Sequence, residues 1–368
     1  MASSFKTIDP KDIVSTRNLL HEAIPITGTI VSGTYGGNNI KNYTHGMFQS
    51  VYDYPFLSSS ANHIIDLTAG YPAASALSAS GNNQNAKKIN IYNEMAQVLA
   101  GFDQDGTVRR FDKDGNFGTT GDEINEAFFF NFTRLLAKDE IKKGSFSISL
   151  GTGPNYLFPF ATDINITDAS GSNGFKVNSP AGEYGILFAK NGTGTPMGTS
   201  GDIGTIGMPC GLLFYQAGIA VVTASVFSSI TGALGGGLLT LATQMGNQLW
   251  DGEAGYINSV LTGSGISGSC NDLRHRIKNI SFNNTTELNS TIYFCRASHN
   301  DFNYSSNPTY LSSSKMVVKN NSTDSPVSYT TAVGLYSADN ELLAVAKLSE
   351  PLKKDPSSEF TLRVRLDY

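Results

Sequence analysis

From Ile203 to Trp250 the chain carries no Asp, Glu, Lys or Arg, and Asp202 and Asp251 bracket the gap. An uncharged run this long is a membrane span, a deep core, or a surface covered by another subunit. Within it, residues 211–215 and 219–227 are β-branched and aromatic, and Gln216-Ala217-Gly218 separates them. That pattern predicts a hairpin of buried strands rather than a lipid-spanning helix. The following piece is small and apolar, and Gly235-Gly236-Gly237 weakens any helix there. A membrane span also calls for basic flanks and an aromatic belt, whereas the flanks here are acidic. The expectation is a buried hairpin followed by a glycine-rich segment that a neighbouring subunit covers. Leu234, Leu238, Leu239, Leu241 and Met245 are its candidate interface residues, and no stable membrane insertion is expected.

Charged residues make up 15% of the chain, against roughly 25% in ordinary soluble domains. Together with 38 glycines, this suits a β-rich chain with many tight turns and a surface largely covered by neighbours. A net charge of −5 argues against a nucleic-acid partner, which demands clustered Lys and Arg. Cys210, Cys270 and Cys295 are too scattered for a disulfide framework or a zinc site and read as reduced structural thiols. The N-terminal residues have no apolar stretch of the secretory kind, so no signal peptide is expected.

Taken in order, the chain reads as mainly β with a few helices, an α+β class built on antiparallel sheets. Asp9 as N-cap and Pro10 at the first helical position predict a short helix that Pro25 ends. Residues 42–77 are aromatic and without a period, with one strand near 63–67. Ile89, Tyr92, Ala96 and Leu99 fall at helical spacing, with Ile91, Met95 and Val98 widening the stripe and Gly101 closing it. Further strands are expected at 126–136, 145–150, 163–167 and 184–188, with one helical turn at 138–143. Beyond Gly268, strands at 276–282, 290–296, 314–319, 328–336, 341–348 and 360–366 make a sandwich-like antiparallel domain. The resulting division is 1–85 (N-terminal helix and extended arm), 86–268 (mixed middle domain) and 269–368 (C-terminal β-domain).

Residue types that carry chemistry do not assemble into a motif. His21, His45, His63, His275 and His299 share no metal-ligand spacing. Asp103, Asp105, Asp112 and Asp114 resemble calcium ligands in type, but an EF-hand loop needs Gly at its sixth position. Counting from Asp103 or from Asp105 puts Val108 or Arg110 there. Two Asp-Gly turns around a short strand, 107–111, fit better. Cys295 with His299 and Asp301, and Asp122 with Glu123 and Glu126, lack the oriented partners of a nucleophile or a glycosidase pair. No catalytic, cofactor-binding or metal-binding residue is expected, and no cofactor.

The runs Asn289-Ser-Thr-Ile-Tyr-Phe-Cys-Arg-Ala-Ser-His-Asn-Asp-Phe-Asn-Tyr-Ser-Ser-Asn-Pro308 and Val333-Gly-Leu-Tyr-Ser-Ala-Asp-Asn-Glu-Leu-Leu-Ala-Val-Ala-Lys-Leu-Ser-Glu-Pro351 resemble virion structural proteins of contractile-tailed bacteriophages, including those of cyanobacteria. Residues 89–101, 128–144 and 211–227 are similar to the same family. The resemblance implies a non-enzymatic structural subunit of the tail or baseplate, assembled in the bacterial host cytoplasm. Its implied partners are other virion proteins and copies of itself. A receptor- or glycan-binding tail-tip protein, with Tyr52, Tyr54, Tyr304 and Tyr310 as its aromatic surface, is the alternative. A capsid or neck decoration protein and a virion-borne cell-wall hydrolase stand further off. If the glycine-rich segment is covered by a neighbour, Lys at both Leu239 and Leu241 blocks particle assembly; normal particle yield from that double substitution overturns the assignment.

Overall fold

The computed structural model describes residues 5–117, 122–136, 140–152, 160, 162–168, 174–191, 208–227, 257–303, 323 and 325–368. The strands are β1 (Ile13–Thr27), β2 (Ile40–Asn42), β3 (Gln49–Tyr52), β4 (His63–Gly70), β5 (Ala127–Asn131), β6 (Glu140–Ile141), β7 (Ser147–Thr152), β8 (Thr162–Thr167), β9 (Phe175–Ser179), β10 (Gly182–Asn191), β11 (Met208–Phe214), β12 (Ile219–Thr223), β13 (Ile277–Ala297), β14 (Ser328–Tyr336), β15 (Leu342–Lys354) and β16 (Phe360–Asp367). The helices are α1 (Gly28–Ser32), α2 (Asn85–Leu99), α3 (Ile257–Thr262) and α4 (Ile266–Arg276). The chain is therefore mainly β, with large antiparallel pairing throughout.

Packing divides it into a central unit, Leu20–Thr286, and a terminal unit made of Met1–Leu19 with Glu287–Tyr368. Residues from both ends of the sequence thus share one unit. The composition-based division placed residues 1–85 apart from 269–368.

In the central unit the strand order runs β13-β7-β8-β10-β11-β12-β5-β4-β3-β2. The hairpin expected at 211–227 is β11 and β12, with Gly211 opposite Val222 and Phe214 opposite Ile219. Gly218 turns it at φ 64°, a left-handed conformation that costs glycine nothing. Next to it lies β5, with Ala220 opposite Phe130 and Val222 opposite Phe128. Beyond β5 comes β4, with Leu67 opposite Phe130 and Thr68 opposite Phe129. Phe128, Phe129 and Phe130 are all buried. Successive side chains on a strand point to opposite faces, so this sheet is apolar on both sides and needs cover on both.

Helix α2 supplies one cover. Its Tyr92 ring meets Phe129 edge-on at 6.3 Å and Phe111 at 5.4 Å. Tyr92 also donates its hydroxyl to the Ile124 carbonyl (2.7 Å). Ile91, Ala96 and Leu99 are buried as the 3.6-residue period requires, but Val98 is 66% exposed and falls outside the stripe. Helix α4 packs against β4 as well, and its Cys270 thiol reaches the Leu67 carbonyl at 3.2 Å. The sequence reading had no helix here, because 266–276 is polar; yet Asp272, Arg274, His275 and Arg276 are all buried. Arg274 donates to the carbonyls of Val31 and Ser32 at the C-terminus of α1, where a cation meets the negative end of the helix. Gly28 starts α1 against β13, and a Cβ there would lie 2.2 Å from the Ile277 carbonyl oxygen.

Two polar side chains of α2 and its cap fasten the helices together. Lys88 is fully buried, and its ammonium donates to the carbonyls of Asn83 (2.9 Å), Leu261 (2.7 Å) and Ser264 (2.6 Å). Gln84 accepts from the Ile266 amide at the start of α4 (2.9 Å). At the other end of the sheet, the buried Asp168 carboxylate accepts from the Gly144 and Phe146 amides (2.8 and 2.9 Å) and from the Tyr215 hydroxyl (2.9 Å). It ties the end of β8 to the approach to β7 and to the end of β11.

The N-terminal helix is not formed. Asp9 does cap, accepting from the Lys11 amide (3.1 Å), but it caps a single 3-10 turn, Pro10–Asp12. The chain then enters β1, the edge strand beside β13. Ile13, Val14 and Thr16 favour extended backbone, and pairing to β13 overrides the helix-compatible residues that follow. Pro25 lies inside β1, which is tolerated because edge strands have an unused hydrogen-bonding side. The helical turn expected at 138–143 is in part β6, and the strands expected at 276–282 and 290–296 are one continuous β13. The expected strand at 314–319 lies outside the described residues.

Replacing Asp168 with Ala leaves the buried Phe146 amide and Tyr215 hydroxyl, and the amide of the more exposed Gly144, without their acceptor. Chemical unfolding of Asp168→Ala is expected to show a loss of about 3 kcal/mol or more, with Asp168→Asn, which keeps one oxygen, losing less.

Candidate functional site

The interface residues expected from the sequence, Leu234, Leu238, Leu239, Leu241 and Met245, all lie outside the described residues. Among the described residues, a different apolar surface stands open, in the terminal unit. Strands β14 and β15 form a two-stranded sheet of their own, with Val333 opposite Ala346, Gly334 opposite Val345 and Leu335 opposite Ala344. Alternation places Ala344, Ala346 and Leu348 on one face with Leu335, and these are half-buried or buried. The opposite face carries Leu343, 66% exposed, and Val345, 55% exposed. Leu342 and Tyr336 at the turn end are exposed too, and Phe5 packs edge-on to Tyr336 at 4.7 Å.

A hairpin with apolar residues on both faces is written for cover on both sides, and an isolated hairpin is marginal in water. The described residues of the terminal unit offer it little apolar cover. Among the described residues, the main hydrophobic core lies between Ile26 and Phe282, inside the central unit. The buried apolar side chains of the terminal unit, among the described residues, are Ala297, Leu335 and Val364. Polar links take the place of a core. The buried Asp12 carboxylate receives both contacts from the Arg296 guanidinium, at 2.8 and 2.9 Å. The buried Lys354 ammonium donates to Asn303 Oδ1 (2.7 Å) and to the carbonyls of Asp355 (2.9 Å) and His299 (3.3 Å). Antiparallel β16 extends the ladder on β13, with Tyr293 opposite Val364.

The groups singled out for chemistry are placed as structural elements. Asp103 Oδ1 accepts from the amides of Asp105 (3.0 Å) and Thr107 (2.9 Å), closing the first Asp-Gly turn on itself. Asp112 Oδ1 does the same for the Asp114 amide (3.0 Å). No three His, Cys, Asp or Glu converge on a metal position among the described residues. Glu123 meets Arg110 at 3.2 Å, and Glu126 accepts from the Ser75 hydroxyl (3.0 Å). His299 faces Glu359 at 3.4 Å, and Asp301 pairs with Lys6. Burial holds the Cys295 thiol above its ordinary pKa, the reverse of what a nucleophile needs. Tyr52 stacks on His63 (5.0 Å) and Tyr54 on Tyr35 (5.7 Å), so they belong to two separate pairs, while Tyr304 and Tyr310 lie outside the described residues. No helix among the described residues is long and apolar enough to cross a membrane.

Set against known proteins, the chain matches no family model, no curated protein and no solved structure.

Two buried groups of the central unit titrate with opposite sign. His275 donates from Nδ1 to the Asn271 carbonyl (2.6 Å). Burial, and secondly the charge of Arg274, bring its pKa down to about 4. The stability it contributes is complete above its ordinary pKa of 6.5 and drains as pH falls toward 4, because only the unfolded chain takes up the proton. Asp112, raised by burial and by Asp114 to about 7, gains stability over much the same window. The two are separated by comparison with His275→Gln. The stability advantage of the unaltered chain over that variant, read by urea unfolding, is expected to shrink by about 3 kcal/mol between pH 7 and pH 4.

Proposed function

We propose that this chain is a structural subunit of a tailed-phage virion, a tail or baseplate component that holds its neighbours through large permanent interfaces. The observation that carries the reading is the β14–β15 hairpin, apolar on both faces, in a unit whose described residues bury few apolar side chains of their own. A soluble domain that worked alone would cover Leu343 and Val345 or replace them with polar residues. Permanent interfaces, by contrast, are apolar and resemble a core cut in two. The low charge content of 15% points the same way. The resemblance of residues 289–308 and 333–351 to virion proteins of contractile-tailed phages supplies the class of assembly.

Catalysis has no part in this reading. Asp112, Asp168, Lys88 and His275 are buried titratable groups, and each has a structural partner on the chain itself. Their shifted pKa values follow from burial in a load-carrying core. They do not converge on one cleft.

Leu343 and Val345 are exposed in the single chain, so Lys at both leaves its fold intact. Burying either side chain stabilises an interface by roughly 1.5–3 kcal/mol. Sedimentation of the purified protein is expected to show self-association that Leu343→Lys with Val345→Lys abolishes while circular dichroism stays the same. A monomer before substitution that also fails to join purified virion tail proteins sinks the proposal.

A further inference from the structure

The central unit contains a cavity of about 440 Å³ between α2, the sheet and the β2–β3 loop. Its size is that of a site for a small ligand or a large side chain with its flanking backbone. Phe129 and Thr68 belong to the sheet, Ile91 and Met95 to α2, and Met47 and Phe48 to the loop. Phe48 is part of a ring cluster: it lies 4.7 Å from Tyr43 and 5.1 Å from His45, which stack on each other at 5.1 Å. The walls are therefore mostly apolar and aromatic.

The charge on those walls is of one sign. Asp66 and Glu94 line the cavity together with His45 and Asn131, and no Lys or Arg is among the lining residues. Asp66 is held in place through one oxygen, Oδ1, which accepts from the Ser50 hydroxyl (2.5 Å) and from His63 Nε2 (2.6 Å). Its other oxygen takes no hydrogen bond among the described residues. Glu94 is exposed on α2 and makes no ion pair among the described residues. Two lysines of the bordering segments are engaged elsewhere. Lys87 donates to the His45 carbonyl (2.7 Å), and Lys41 sits over the outer Tyr43 ring, 4.8 Å from its centre. The second contact shows the ring cluster attracting a cation within the chain itself.

We propose that this cavity binds an arginine side chain presented by another polypeptide. An aromatic face, an apolar floor for the methylene stem and carboxylates at the wall are the three features that a guanidinium uses together. Lysine fits the charge but not the flat ring surface, and a neutral sugar would leave the Glu94 carboxylate without a charge partner. The proposal stands on the cavity alone and holds whether or not the chain is a virion subunit.

The test uses the full chain with methyl-labelled methionine, observing Met47 and Met95 by NMR. The probe is N-acetyl-arginine amide, with N-acetyl-citrulline amide as its neutral isostere and methyl glucoside as the sugar. Arginine is expected to shift both methyl signals saturably, and citrulline far less. Glu94→Gln, an exposed substitution that spares the fold, is expected to weaken the arginine probe by about fivefold with the unliganded spectrum otherwise unchanged. Absence of any shift at Met47 and Met95 overturns the proposal. So do equal responses to arginine and citrulline, an unweakened Glu94→Gln, or a response to methyl glucoside alone.

Discussion

The ladder formed by β12, β5 and β4 sets the terms for everything around it. Its residues are apolar on both faces, from Phe128 to Phe130 and from Ala220 to Val222. Water excluded from one face must be excluded from the other, or the burial on the first is wasted against exposure on the second. Helices α2 and α4 both pack on β4 and help to meet that demand. The buried Lys88 and the Gln84 amide then serve to hold those two covers together through backbone carbonyls and amides. Polar groups this deep persist only when every donor finds an acceptor, and Lys88 finds three.

The same demand is left open in the terminal unit. Strand β15 repeats the two-faced apolar pattern, yet its Leu343 and Val345 stand exposed among the described residues. The unit compensates with charge pairs such as Asp12 with Arg296, which fix geometry more than they add stability. Among the described residues, apolar cover is complete over the central ladder and partial over the β14–β15 hairpin, and that contrast is what the proposed subunit interface rests on.

How much of this was legible in the sequence follows from which force decides each element. The hairpin at 211–227 and strands β14, β15 and β16 were legible because β-branched runs, alternation and turn residues agree locally with the fold. Helix α2 was legible from its period, apart from Val98. The first strand was not: Asp9 and Pro10 announce a helix, and only the partner strand β13, far away in sequence, turns the segment into an edge. Helix α4 was missed because Asp272, Arg274 and Arg276 look solvated in a one-dimensional reading, whereas the fold buries them. The open face of the hairpin was beyond reach for a different reason. Leu343 and Val345 read the same whether the cover comes from within the chain or from outside it. The cavity beside Phe48 draws on four segments between His45 and Asn131 that no spacing rule links.

The terminal unit joins residues before Leu20 to residues after Thr286, and this imposes an order in time. During synthesis the first half of β1 leaves the ribosome early and waits for its partner, residues 287–297 of β13, until most of the chain has been made. Asp12 likewise waits for Arg296. The central unit is complete before either can close. A polypeptide released before residue 287 therefore carries the strands of the central unit but neither partner that the first half of β1 and Asp12 need.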